Sequence, residues 1–257
     1  MEHSLEGVKL KVARTAEHLD ALGAEASAYL DSSPYEVIGK SQADDDTLLV
    51  CKVHRHPPLR LGVLLGDFLH NLRSSLDHLA WQLVLADGGT PGRKTAFPIL
   101  LKKGSKPLKI AGGVSAKAAD LVECLQPYNN MSGSPREHPL FILSRLNIID
   151  KHREFNIVVL NVSDMLQADL LTEDGTEIYM TLQVLSNVGK DKPITDGAVI
   201  GKSPFPGRRQ RIGVESALGL QEMKEAGPFE SLSVGTIAEQ LLDYVRDVVI
   251  PEFEQFF

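Results

Sequence analysis

Between residues 59 and 86 large apolar side chains recur every three or four positions, and this segment constrains the fold more than any other. With successive residues turned by about 100°, Leu61, Leu65, Phe68, Leu72, Leu76 and Leu79 share one stripe, which predicts a long helix with a wide core-facing side. Asp67, His70, Asn71, Ser74 and His78 fall on the opposite stripe. A helix side turned to water usually carries Lys and Glu, yet Gly62 to Ala86 contains neither and has only Asp67, Arg73 and Asp77 as charges. Val63, Leu64, Trp81 and Leu85 flank the polar stripe, so the helix is apolar nearly all round at its ends, as buried helices are. Buried polar groups need partners, because each one left unpaired costs about 1–3 kcal/mol. The stripe is therefore either a recessed polar site or an internal hydrogen-bond network that fixes helix register.

The 257 residues can bury a large core, and 43% hydrophobic with 24% charged residues excludes disordered and fibrous classes. No apolar run approaches the roughly eighteen residues of a membrane span, so no membrane association is expected. The start, Met1 to Glu6, lacks a basic region followed by an apolar one; Cys51 and Cys124 are single, far apart and set among apolar neighbours, as reduced core thiols are. The cytoplasm is the expected compartment. A formal charge of −7 argues against broad, charge-driven binding to DNA, so contact with nucleic acid must be local.

The remaining pattern predicts an α+β fold in one compact unit, 1–257, mainly helical over 1–154. Leu5, Val8, Val12, Leu19 and Leu22 keep helical spacing, and Ser32-Ser33-Pro34 ends that first helix. A short hairpin over 35–53 follows, with a polar turn at Ala43-Asp44-Asp45-Asp46. The central helix, 59–86, stops at Asp87-Gly88-Gly89. Ser115 to Leu125 reads as a short helix, and 137–154 as another that finishes in a charged cluster. From Phe155 the period changes to two, predicting an antiparallel sheet over 155–225 with a hairpin at Glu173-Asp174-Gly175-Thr176. Thr236 and Glu239 form a capping box for a C-terminal helix, 234–257, that returns to the bundle and is kinked by Pro251.

Arg73 and His78 are five residues apart, hence about 140° around a helix axis, while Asp77 lies one turn after Arg73 and can pair with it. Brought to one cleft by a neighbouring helix or a second protomer, His would supply acid–base chemistry and Arg would grip a phosphate. Asp67, Asn71 and Ser74 are placed to fix the His78 tautomer. Arg73-Ser74-Ser75-Leu76-Asp77-His78 resembles the Arg-x4-His motif of the HEPN superfamily, helical bundles that often act as metal-independent ribonucleases or toxins. The resemblance implies Arg73 and His78 as the catalytic pair, attack of a ribose 2′-hydroxyl on the adjacent phosphate, RNA as substrate or ligand, and a homodimer. Asp67, His70, Asn71, Ser74 and Asp77 would support the pair, together with Asn147, Asp150, Lys151, His152 and Arg153. The motif lies mid-helix, whereas a helix start is more typical of that superfamily. The wider phrase from Gly66 to His78, with Asn147 and Asp150 to Arg153, also resembles a group of bacterial and phage proteins and brings no activity with it.

Lys151, His152 and Arg153 equally suit a helix C-terminus electrostatically. Asp67, His70, Asp77, His78, His138 and His152 are metal-ligand types, but no His-Glu-x-x-His or Glu-x-x-His spacing occurs, so neither metal nor cofactor is expected. Lys102, Lys103, Lys106 and Lys109 form a basic loop that is either simply solvated or a phosphate contact. Two functions remain: an RNA-cleaving or RNA-binding HEPN-like protein using Arg73 and His78, and a non-catalytic accessory protein whose polar row is structural.

Overall fold

The computed structural model describes residues 3–41, 47–131, 133–161, 165–171, 177–183, 193–203, 210–213, 216–222 and 232–257. Helix α1, Glu6–Asp31, runs into a hairpin of β1, Tyr35–Ser41, and β2, Thr47–Val53. Helix α2 then occupies Leu59–Ala86, the span that its apolar period demands. Pro58 stands in extended backbone before it, and the chain turns out of it at Asp87 and Gly88, the latter at φ 74°. The first of these segments pack against each other: α1 and α2 lie side by side, antiparallel, and α4, Pro139–Asp150, and β3, Ile157–Asn161, also pack on α2. Enclosure on several sides explains why a helix of this length lacks Lys and Glu through its middle.

Helix α3, Ala116–Cys124, starts at Ser115, whose side chain accepts the Ala118 N–H. The predicted helix over 137–154 is shorter at both ends. A single 3-10 turn, Pro135–Glu137, precedes α4, and α4 stops at Asp150, leaving Lys151 to Glu154 exposed beyond it. His138 caps α4, with Nδ1 accepting the Leu140 N–H, and Pro139 fills the first helical position where no N–H is needed.

The fold is α+β, but among the described residues the strands after residue 155 do not pair into one sheet. Three antiparallel groups form: β1-β2-β6, with β6 at Val199–Ser203; β3-β8, with β8 at Ser216–Leu220; and β5-β4-β7, with β4 at Met165–Leu171, β5 at Glu177–Gln183 and β7 at Gln210–Gly213. Thus β6 leaves its sequence neighbours and pairs with the N-terminal hairpin, while β7 pairs with β4 and β8 with β3, so adjacent strands of the span read as one sheet go to different groups. Strands β4 and β5 pair as the Asp174-Gly175 turn requires; that turn and the acidic one at 43–46 lie outside the described residues.

Helix α5, Val234–Asp243, is capped by Ser233, which accepts the Thr236 N–H; Thr236 is therefore three residues inside the helix rather than its cap. Six residues of π-helix, Tyr244–Val249, then lead into α6, Ile250–Phe253. Pro251 has no N–H, and its ring opposes the carbonyl four residues back, so the ladder loosens in the turn before it. Cys51 is buried and its thiol is pushed up to about 11, chiefly by burial, whereas Cys124 is exposed, contrary to the expectation that both are core thiols.

Candidate functional site

The polar and charged side chains of α2, the row together with Arg73 and Asp77, face three different neighbours. The first group meets α1. Ser4 donates its N–H to Gln82 Oε1 at 3.1 Å, Gly7 lies against His78, His18 Nε2 lies 3.2 Å from Asn71 Nδ2, and Arg60 pairs with Glu25 at 3.2 Å. These contacts run in opposite directions along the two helices, so Gln82, His78 and Asn71 mark the α1–α2 seam. A Cβ built on Gly7 would stand 3.2 Å from His78 Cε1, and this close approach is what a glycine at that position permits. His78 Nδ1 is buried with no hydrogen-bond partner among the described residues. Burial, and then the Lys11 ammonium, hold its imidazole below the ordinary pKa and so favour the neutral ring. Ser74 is half-buried between these positions.

The second group grips a loop. Arg73 donates from Nη2 to the Phe97 carbonyl at 2.9 Å and pairs through Nη1 with Asp77 Oδ1 at 2.7 Å. The same Asp77 oxygen accepts the Phe97 N–H at 3.0 Å. One ion pair thereby satisfies both polar groups of a residue whose side chain is itself buried. The Arg73 side chain is only 17% exposed; Nη2 is hydrogen-bonded to Phe97, while Nη1 is held beside Asp77 as an ion pair without a hydrogen bond of its own among the described residues.

The third group faces the end of α4. Asp67 and His70 are exposed, and Asp150 packs so closely on Gly66 that a Cβ there would collide with its carboxylate. Burial and the neighbouring Asp67 push the Asp150 carboxyl up, opposed by His70 and Lys151. Asn147, one turn earlier, is 4% exposed with Oδ1 unpartnered among the described residues. A cleft of about 260 Å³ beside this corner is lined by Gly62, Val63, Asp150, Arg153, Glu154 and Phe155. Lys151, His152 and Arg153 are exposed after α4.

Arg73 and His78 therefore do not meet within one chain: one is bound to the loop at Phe97 and the other is wedged against Gly7. Among the described residues no three His, Cys, Asp or Glu side chains are grouped to hold a metal ion. A larger cavity of about 490 Å³ lies elsewhere, lined by Leu22, Gly23 and Ser27 of α1, Leu218 of β8, and Val234 and Glu239 of α5.

Gln126 was not singled out by pattern, and His138 was considered there only as a metal-ligand type; both have evident structural work. Gln126 is fully buried, receives the Leu100 N–H at 2.9 Å and donates to the carbonyls of Pro98 and Val122 at 2.9 Å each. His138 joins its capping bond to one with Tyr244 Oη at 3.1 Å; because Nδ1 accepts from the backbone, Nε2 carries the proton and donates. Burial lowers this imidazole to about 4. A polar residue directly before a proline at a helix start is the signal for such a cap. Comparison of the chain with family models, curated proteins and solved structures finds no match.

Proposed function

We propose that the protein acts by binding rather than by catalysis, and that Arg73 and His78 serve its fold. The observation that carries this reading is the Arg73–Asp77 clasp on Phe97, which engages the guanidinium that phosphate chemistry would need. His78 adds support from the other side of the helix, where its contact with Gly7 leaves little room for a substrate. Cleavage of RNA across two protomers would require Arg73 to leave both partners, abandoning the buried Phe97 peptide at a cost of about 1–3 kcal/mol per unpaired group.

The test incubates purified wild type, Arg73→Ala and His78→Ala with RNA in the presence of a chelator, and measures unfolding of all three. Intact RNA with wild type, together with lowered unfolding midpoints for Arg73→Ala, is the expected result. Cleavage by wild type that both substitutions abolish, with midpoints unchanged, would establish the HEPN-like ribonuclease instead.

A further inference from the structure

Between Gly88 and Ala119 the chain has seven Lys and Arg residues and no Asp or Glu, within a protein of net charge −7. Such segregation is far from the mixed surface that merely keeps a protein soluble. The segment is also firmly held. Thr95 Oγ1 donates to the Ala111 carbonyl at 2.6 Å and closes its base, and the Gly112 carbonyl lies 2.5 Å from where a Cβ on Gly89 would stand. Inside this closed loop the Phe97 peptide is clasped by Arg73 and Asp77, and Gln126 holds both sides of Pro98 to Leu100. Phe97 and Ile110 are buried, so the loop's apolar side chains anchor it while its cations stay outside.

All seven cations are exposed. Lys103 pairs with Glu123 at 3.0 Å, and the Lys117 ammonium lies 5.8 Å from the Phe256 ring centroid. Arg93, Lys94, Lys102, Lys106 and Lys109 have no carboxylate partner among the described residues. Like charges gathered on a fastened loop repel one another, and a polyanion relieves that repulsion while releasing its own counterions. Phe97 is the segment's only aromatic residue and it is buried, so the lobe offers no platform for stacking unpaired bases and no aromatic wedge for a bilayer. Four of the five unpaired cations are lysines, point charges that meet phosphate without reading base edges.

We infer that this lobe docks the phosphate backbone of a duplex nucleic acid, without sequence preference. The inference rests on the binding role proposed above and names the partner; RNA cleavage would overturn that role, whereas only a failure of lobe-dependent binding would overturn this one. The test measures fluorescence anisotropy of labelled RNA and DNA duplexes of mixed sequence, with chelator present, over a range of salt. Parallel sedimentation uses phosphatidylserine-containing vesicles. The variant Lys102→Glu/Lys106→Glu/Lys109→Glu is compared with Arg14→Glu/Lys40→Glu/Arg60→Glu, which has the same net charge, after circular dichroism shows that both are folded. Expected is binding of at least one duplex by wild type, weakened tenfold or more by the lobe variant and distinctly less by the control. The lobe variant should also lose close to 0.9 from the slope of log affinity against log salt for each phosphate contact removed. No duplex binding at low salt, equal weakening by the two variants, or binding of vesicles in place of duplexes would overturn the assignment.

Discussion

At the residue scale, the α2 sequence shows that an unusual polar row exists but not what each member touches. The angular stripe groups Asp67, His70, Asn71, Ser74 and His78, yet α1 covers Asn71 and His78 while the end of α4 approaches Asp67 and His70. A stripe tens of degrees wide is enough for two neighbours to share it. Arg73 and Asp77 were legible as an ion pair from their one-turn spacing, but not their shared target, because Phe97 lies twenty residues further along. Both substitutions Arg73→Ala and Asp77→Ala should destabilise the protein by about 1–3 kcal/mol, because each orphans a polar group of a buried residue. The double variant should cost clearly less than their sum, and a urea-unfolding double-mutant cycle measures that coupling.

At the element scale, helices declared themselves and strand partners did not. The bounds of α2 follow from Pro57-Pro58 before it, Asp87-Gly88 after it and an unbroken apolar period between. β6 falls within the span read as sheet, but nothing in its five residues carries information on its partner, which is β2, some 150 residues away. The α2–α4 packing depends on Gly66, so Gly66→Ala should drive Asp150 off the helix and cost about 1–3 kcal/mol by overpacking. Combining it with Asp150→Ala should recover much of that loss in thermal unfolding. The cap of α4 predicts a pH dependence. His138 has a depressed pKa in the fold, so the unfolded chain takes up its proton first as pH falls. Stability is therefore full above the unfolded value of about 6.5 and drains away towards the folded value of about 4, by a total on the order of 3 kcal/mol. His138→Asn keeps a capping acceptor but cannot titrate, and its stability should be flatter across that window when followed by denaturant unfolding.

At the scale of the whole molecule, Phe97 joins three regions that are remote in sequence. Its peptide is bound to α2, and its ring meets Phe253 edge-on with centroids 6.4 Å apart, tying the basic lobe to the C-terminal helix. Phe97→Ala should cost about 3–5 kcal/mol and expose the lobe to trypsin at Lys102 to Lys109, read by limited proteolysis under native conditions. No helix among the described residues is long and apolar enough to cross a membrane. The acidic body and the basic lobe give the molecule a charge asymmetry that the overall −7 conceals.

Hydrogen exchange at the Phe97 amide in the native protein tests most directly whether Arg73 and Asp77 of α2 are committed to structure. Strong protection in the wild type, lost selectively in Asp77→Ala while the α2 amides remain protected, is the predicted outcome. Exchange in the wild type as fast as in an open loop would contradict it, because Arg73 and Asp77 would then be free for other chemistry.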